Sequence, residues 1–241
     1  MLPKEELVLE LVDERNQKLW NEIDQKLNVK LSPSLNDEYS CYSQGQDIIF
    51  YIDENNFCKD SFTHEMLHVY LRLHGLFIGA GLKNTIIQSR ILSNVFSSGL
   101  IEHLGNCFDH IKMLPMYIDM GFNREKFILD YNTHKCTTSE IQLLKREYKK
   151  GNRINSKAAD FYIGKYFAIK ADPNDSFDYT SQLLDLKKID PLLYGALEAT
   201  VKHWEMVKVK DRTILDDDYH QVLLNFYTQM KAWLSKSKFL I

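Results

Sequence analysis

An α+β fold, dominated by helices, is predicted by three features of this 241-residue sequence. First, Asp47-Ile48-Ile49-Phe50-Tyr51-Ile52 has the β-branched and aromatic content of a strand. Second, a stretch soon after it, Phe62 to Leu73, carries apolar residues on a broad surface (Met66, Leu67, Tyr70, Leu71, Leu73), as a helix buried in a core requires. Third, most of the chain beyond residue 116 repeats its apolar residues at helical spacing. Together these predict a small twisted sheet of about three strands packed on one central helix, followed by a helical C-terminal half. Hydrophobic residues make up 44% of the chain and aromatics 12%, enough for a packed core.

Pro3 to Lys30 reads as one amphipathic helix, with Leu7, Leu11, Leu19, Trp20, Ile23 and Leu27 at helical spacing. Pro3 suits a first turn, and Glu5 and Glu6 favour the positive end of the helix dipole. Ser32-Pro33-Ser34 and Asn36-Asp37 break it. Tyr39 to Ser43 and Asp47 to Ile52 form two short strands joined at Gly45. The next helix runs from about Ser61 to His74 and ends at Gly75. Gly79-Ala80-Gly81 is expected to be a loop, and Ile86 to Pro115 a long apolar helix broken near Ser97-Ser98-Gly99. Thr137 and Glu140 make a capping box that opens a helix to Lys150. Further helices are expected at Ala158 to Ile169, Pro191 to Val209 and Asp217 to Leu234. A change in composition divides the chain into 1–122, holding the candidate site, and 123–241, a helical region packed against it as one unit.

The chemistry is concentrated in His64-Glu65-Met66-Leu67-His68. On a helix, His64 and His68 stand one turn apart, about 40° from eclipsed, so two imidazoles can grip one metal ion. Glu65 is about 100° round, within reach of a water on that metal. Zinc with an open coordination position lowers the pKa of such a water to about 7, and a nearby carboxylate can take its proton and pass it to a leaving amine. A second stretch, Glu102-His103-Leu104-Gly105-Asn106-Cys107-Phe108-Asp109-His110, supplies candidates for a third ligand. A carboxylate inside an apolar run is costly unless paired, which favours Glu102 as a metal ligand. Asn106, one turn on, shares its face and would orient a ligand imidazole. His74 is demoted, because a helix that continues past Leu71 turns it about 120° from His68. His103 is about 100° from Glu102, and His110 is two turns on and about 80° round. For both, a bond to the backbone is the plainer reading, with an oxyanion contact the alternative for His110.

With these residues in view, the chain resembles the zincin metallopeptidases, which place an edge strand before a His-Glu-x-x-His helix. Glu102 falls where gluzincins carry their glutamate ligand. Leu71 stands where metzincins need a glycine ahead of a third histidine, which counts against His74. Residues 46 to 116 also resemble the ImmA/IrrE metallopeptidases, through Phe62-Thr63 before the motif and Glu102, Asn106, Phe108 and Pro115 after it. Gly105 and Cys107 depart from the alanines usual there. The resemblance implies an intracellular zinc-dependent peptidase, with His64, His68 and Glu102 holding Zn2+, Glu65 as general base and then acid, and a peptide or protein as substrate. The alternative is a non-catalytic regulatory or binding protein on a zincin-like scaffold, although retention of Glu65 favours catalysis, since holding zinc needs no base.

The remaining properties narrow the class. A net charge of -3, with no dense basic patch, gives no sign of nucleic-acid binding. No apolar run approaches the roughly 18 residues that span a bilayer, and the N-terminus has no secretory character. With Cys41, Cys58, Cys107 and Cys136 in no paired motif, the expectation is reduced thiols in a cytoplasmic protein without membrane contact. Substrate and oligomeric state are left open by the sequence.

Overall fold

Strand β3 (Asp47–Ile52) alternates as a half-buried strand must: Ile48, Phe50 and Ile52 are buried, while Ile49 and Tyr51 are more open. In the computed structural model, which describes residues 2–211 and 218–240, β3 is the centre of a three-stranded sheet. Strand β1 (Asn28–Pro33) pairs parallel to it, with Leu31 opposite Phe50. Strand β2 (Ser40–Gln44) pairs antiparallel on the other side, with Cys41 opposite Phe50. The β2–β3 turn is made by Gly45 at φ 61°, a left-handed conformation that costs glycine little. The described residues are mixed α+β and mostly helical, as expected. By contact the chain divides into two units: residues 1–76 with 112–132, and residues 77–111 with 133–241.

In the first unit the expected long N-terminal helix is two helices, α1 (Lys4–Leu11) and α2 (Gln17–Lys26), and its end is strand β1. Asn16 makes the corner. Its side-chain oxygen accepts from the Asp13 N–H at 2.8 Å, and its amide donates to the Leu11 carbonyl at 3.1 Å and to Thr63 Oγ1 at 2.8 Å. A fully buried asparagine satisfied in this way favours a bend that apolar periodicity does not register. The sheet and α2 pack on helix α3 (Lys59–Leu73), where Phe62 meets Phe50 at 5.2 Å and Trp20 at 5.8 Å between ring centroids. Each such fully buried aromatic contributes about 2–3 kcal/mol.

In the second unit, helix α4 (Ile78–Ile87) contains the glycines expected to form a loop. They serve close packing instead. A Cβ on Gly105 would stand 3.1 Å from the Gly79 Cα, and one on Gly81 would collide with Leu223. Helix α5 (Ser98–Asp119) begins in this unit near the expected break and runs through Pro115 to Asp119, past its expected end, its last turns belonging to the first unit. Proline withholds one helical N–H, but local packing keeps the helix intact; Met113 and Tyr117 around it are fully buried. The remaining elements are α6 (Thr138–Glu147), strands β4 (Lys149–Lys150) and β5 (Arg153–Asn155), α7 (Ser156–Ala171), α8 (Thr180–Ile189), α9 (Pro191–Met206), α10 (Asp218–Ser235) and strand β6 (Lys238–Leu240). The capping box of Thr137 and Glu140 is present on α6. Asp217, the expected start of α10, lies outside the described residues. The buried Asp190 caps α9 through the Leu193 N–H at 2.9 Å and accepts from Tyr148 Oη and Trp233 Nε1 at 2.8 and 2.9 Å. No described helix is long and apolar enough to cross a membrane.

Candidate metal centre

Helix α3 fixes the two motif histidines because both of its ends are well defined. At its start, the Cys58 N–H donates to Tyr39 Oη at 2.8 Å, and Tyr117 Oη donates to Asp60 at 3.1 Å. At its end, Gly75 takes φ 75° and the Leu76 N–H closes on the Leu71 carbonyl at 2.9 Å. Because the helix continues to Leu73, His74 is carried away from the motif. It is buried against Tyr70, 4.3 Å between ring centroids, with Nε2 3.3 Å from Glu22.

His64 and His68 bring their Nε2 atoms to 3.2 Å. Two nitrogens bound to one tetrahedral zinc at 2.0–2.1 Å would be separated by about 3.3 Å. The pair thus has the spacing of ligands that share an ion. The rings are held in place by their neighbours. His68 is buried and meets His64 edge-on at 5.0 Å, and His64 rests on Phe127 at 4.7 Å. Thr63, just before the motif, accepts from Asn16 and donates to the Lys59 carbonyl at 2.7 Å, which locks this turn of the helix.

His110 on α5 completes a group of three. One ligand nitrogen from each of His64, His68 and His110 lies within 4.8 Å of the others, close enough to hold a metal ion. Glu102, expected in this role, is not part of the group. It stands eight residues earlier on α5, about 12 Å along the axis, and is exposed. The cost that favoured a metal partner does not arise, because Glu102 and Asn106 share a face that is open to solvent, while Leu104, Cys107 and Phe108 supply the buried stripe. Asn106 is likewise exposed. His103 also lies outside the group: its Nε2 is 3.2 Å from the Gly164 carbonyl and 3.5 Å from Cys107 Sγ.

Glu65 sits beside this pair in a desolvated setting. Burial pushes its carboxyl above the ordinary range, and His68, Cys41 and Arg72 partly offset that by favouring the charged form. Burial and the neighbouring Glu65 in turn push the Cys41 thiol up to about 12. The cysteines are all free thiols. Arg72 Nη1 donates to Ser43 Oγ at 2.9 Å and lies 3.7 Å from Cys41 Sγ. Sequence alone assigns Cys41, Ser43 and Arg72 no role at this site. The spacing held a signal nonetheless: Cys41 and Ser43 share one face of a strand, and Arg72 follows Glu65 by seven residues, on the same helical stripe. No protein-family model matches the chain, and neither does a curated protein or a solved structure.

Proposed function

We propose that this protein is a zinc-dependent hydrolase, a metallopeptidase whose metal is held by His64, His68 and His110. The observation that carries the reading is the 3.2 Å approach of two histidine Nε2 atoms one turn apart, with the half-buried Glu65 next to them. A neutral pair of imidazoles can satisfy such an approach with one shared proton, but three histidines and a desolvated carboxylate at one place fit a metal site better. The all-nitrogen set suits zinc, with a fourth position open. Zinc, when bound, supplies a Lewis acid for a carbonyl oxygen and lowers the pKa of a water to about 7.

Glu65 supplies the proton chemistry. Its oxygens take a proton from the attacking water and return it to the leaving amine, and burial assists both steps by bringing the carboxyl closer to neutral pH. The Cys41 thiol favours the charged form of that carboxylate. Phe127 packs against the His64 ring and helps fix its orientation.

The test joins metal content with cleavage. Protein purified without chelator is expected to carry about one zinc per chain and to cut members of a peptide library. Glu65→Gln is expected to keep the zinc and lose at least 100-fold in rate. Wild-type protein without metal even after zinc is added back would refute the metal site. Zinc without hydrolysis, or hydrolysis unchanged in Glu65→Gln, would refute the peptidase and leave a binding protein.

A further inference from the structure

Arg72 is half-buried on the same stripe of α3 as Glu65, two turns on and about 20° round. Its hydrogen-bond partners are both neutral: the Ser43 hydroxyl and the Cys41 thiol on β2. Among the described residues no carboxylate forms an ion pair with it, whereas Arg15 is paired with Asp13 and Arg146 with Glu147. A guanidinium stays charged at every accessible pH and offers five N–H donors, most of which Ser43 and Cys41 do not use. Withdrawing such a charge from water is costly without an anion. Its field reaches Glu65, so the two share one space beside the motif, yet Glu65 is not its ion-pair partner.

We infer that Arg72 is a recognition point for a carboxylate on the substrate, so that the site selects acidic peptides. The inference rests on the hydrolase reading above and names its substrate class. Planar, two-pronged pairing is the natural mode for an arginine that meets a carboxylate, and desolvation at a half-buried position strengthens it. Ser43 steadies the guanidinium from one side and leaves its other edge to the ligand. Arg72 lies at the position after the second motif histidine by one turn, so the acidic group would stand near the bond to be cut, not at a distant subsite.

The test uses the zinc-loaded full chain and short peptide hydroxamates, which seek zinc through the hydroxamate, carrying Asp or its neutral isostere Asn at each position in turn. At one position wild type is expected to bind the Asp probe at least tenfold more tightly. Arg72→Gln is expected to erase that preference with little effect on the Asn probe, Arg72→Lys to keep part of it, and Ser43→Ala to keep most of it. Equal binding of Asp and Asn probes at every position, or a preference that survives in Arg72→Gln, would overturn the inference while leaving the zinc site intact. Failure of the chain to hold zinc, or of every hydroxamate to bind zinc-loaded chain, would instead overturn the hydrolase reading. Melting curves show whether each variant is folded, and Arg72→Lys carries the test if Arg72→Gln is not.

Discussion

Replacing His110 and Glu102 separately by alanine distinguishes the proposed three-histidine ligand set from the one the motif resemblance implies. Zinc bound by four protein ligands contributes about 10–16 kcal/mol, or about 3 kcal/mol per ligand. Losing one nitrogen should therefore weaken zinc by about two powers of ten. At a free zinc concentration 100 times the wild-type Kd, binding stabilises wild type by about 2.7 kcal/mol. For a chain of this length that raises Tm by about 5–10 °C. At the same zinc concentration His110→Ala would be only half saturated, stabilised by about 0.4 kcal/mol, and its Tm would rise by about 1 °C. Glu102→Ala removes an exposed carboxylate outside the group and should match wild type within a factor of two or three. Competition with a chromophoric chelator gives the Kd values, calorimetry gives the Tm shifts, and His64→Ala serves as the positive control. A loss of zinc in Glu102→Ala, with His110→Ala unchanged, would refute the three-histidine site.

Three further outcomes test the scaffold. Asp190→Ala removes a helix cap and leaves Tyr148 and Trp233 without their buried acceptor, so urea unfolding should show a loss of about 3–5 kcal/mol; a loss under 1 kcal/mol would mean that water replaces the carboxylate. Gly105→Ala should cost about 1–3 kcal/mol, because its Cβ would stand 3.1 Å from the Gly79 backbone, whereas Gly99→Ala in the same helix meets nothing within 4 Å and should be neutral or slightly stabilising in the same melt. Glu140 is partly desolvated, which acts to raise its pKa, but Lys165 and the Thr137 cap outweigh this and hold it below the usual 4.5. Its contribution is therefore complete above pH 4.5 and lost as pH falls through the lower folded value, so stability against pH should decline less steeply at the acid end in Glu140→Gln.

The sequence by itself determined the elements whose causes are local. β2 and β3 follow from alternation and Gly45, α3 from its apolar surface and Gly75, α6 from the Thr137–Glu140 box, and α9 from its apolar spacing. The pairing of His64 with His68 belongs here too, since one helical turn brings them together whatever surrounds it. Other features depend on contacts between residues far apart in sequence. Asn16 bends the N-terminal segment because Thr63, 47 residues on, receives its amide. Gly79 and Gly81 are helical because what they meet is Gly105 and Leu223, and the freedom that marks a glycine as a turn residue also lets two backbones touch. The third member of the histidine group is the sharpest case. Periodicity identifies α5 as a helix, and Glu102 and His110 are both polar residues on it. Only the tertiary structure decides which turn brings a donor to the motif histidines and which faces water, because a helix fixes the spacing of its own side chains but not where along its length another element meets it.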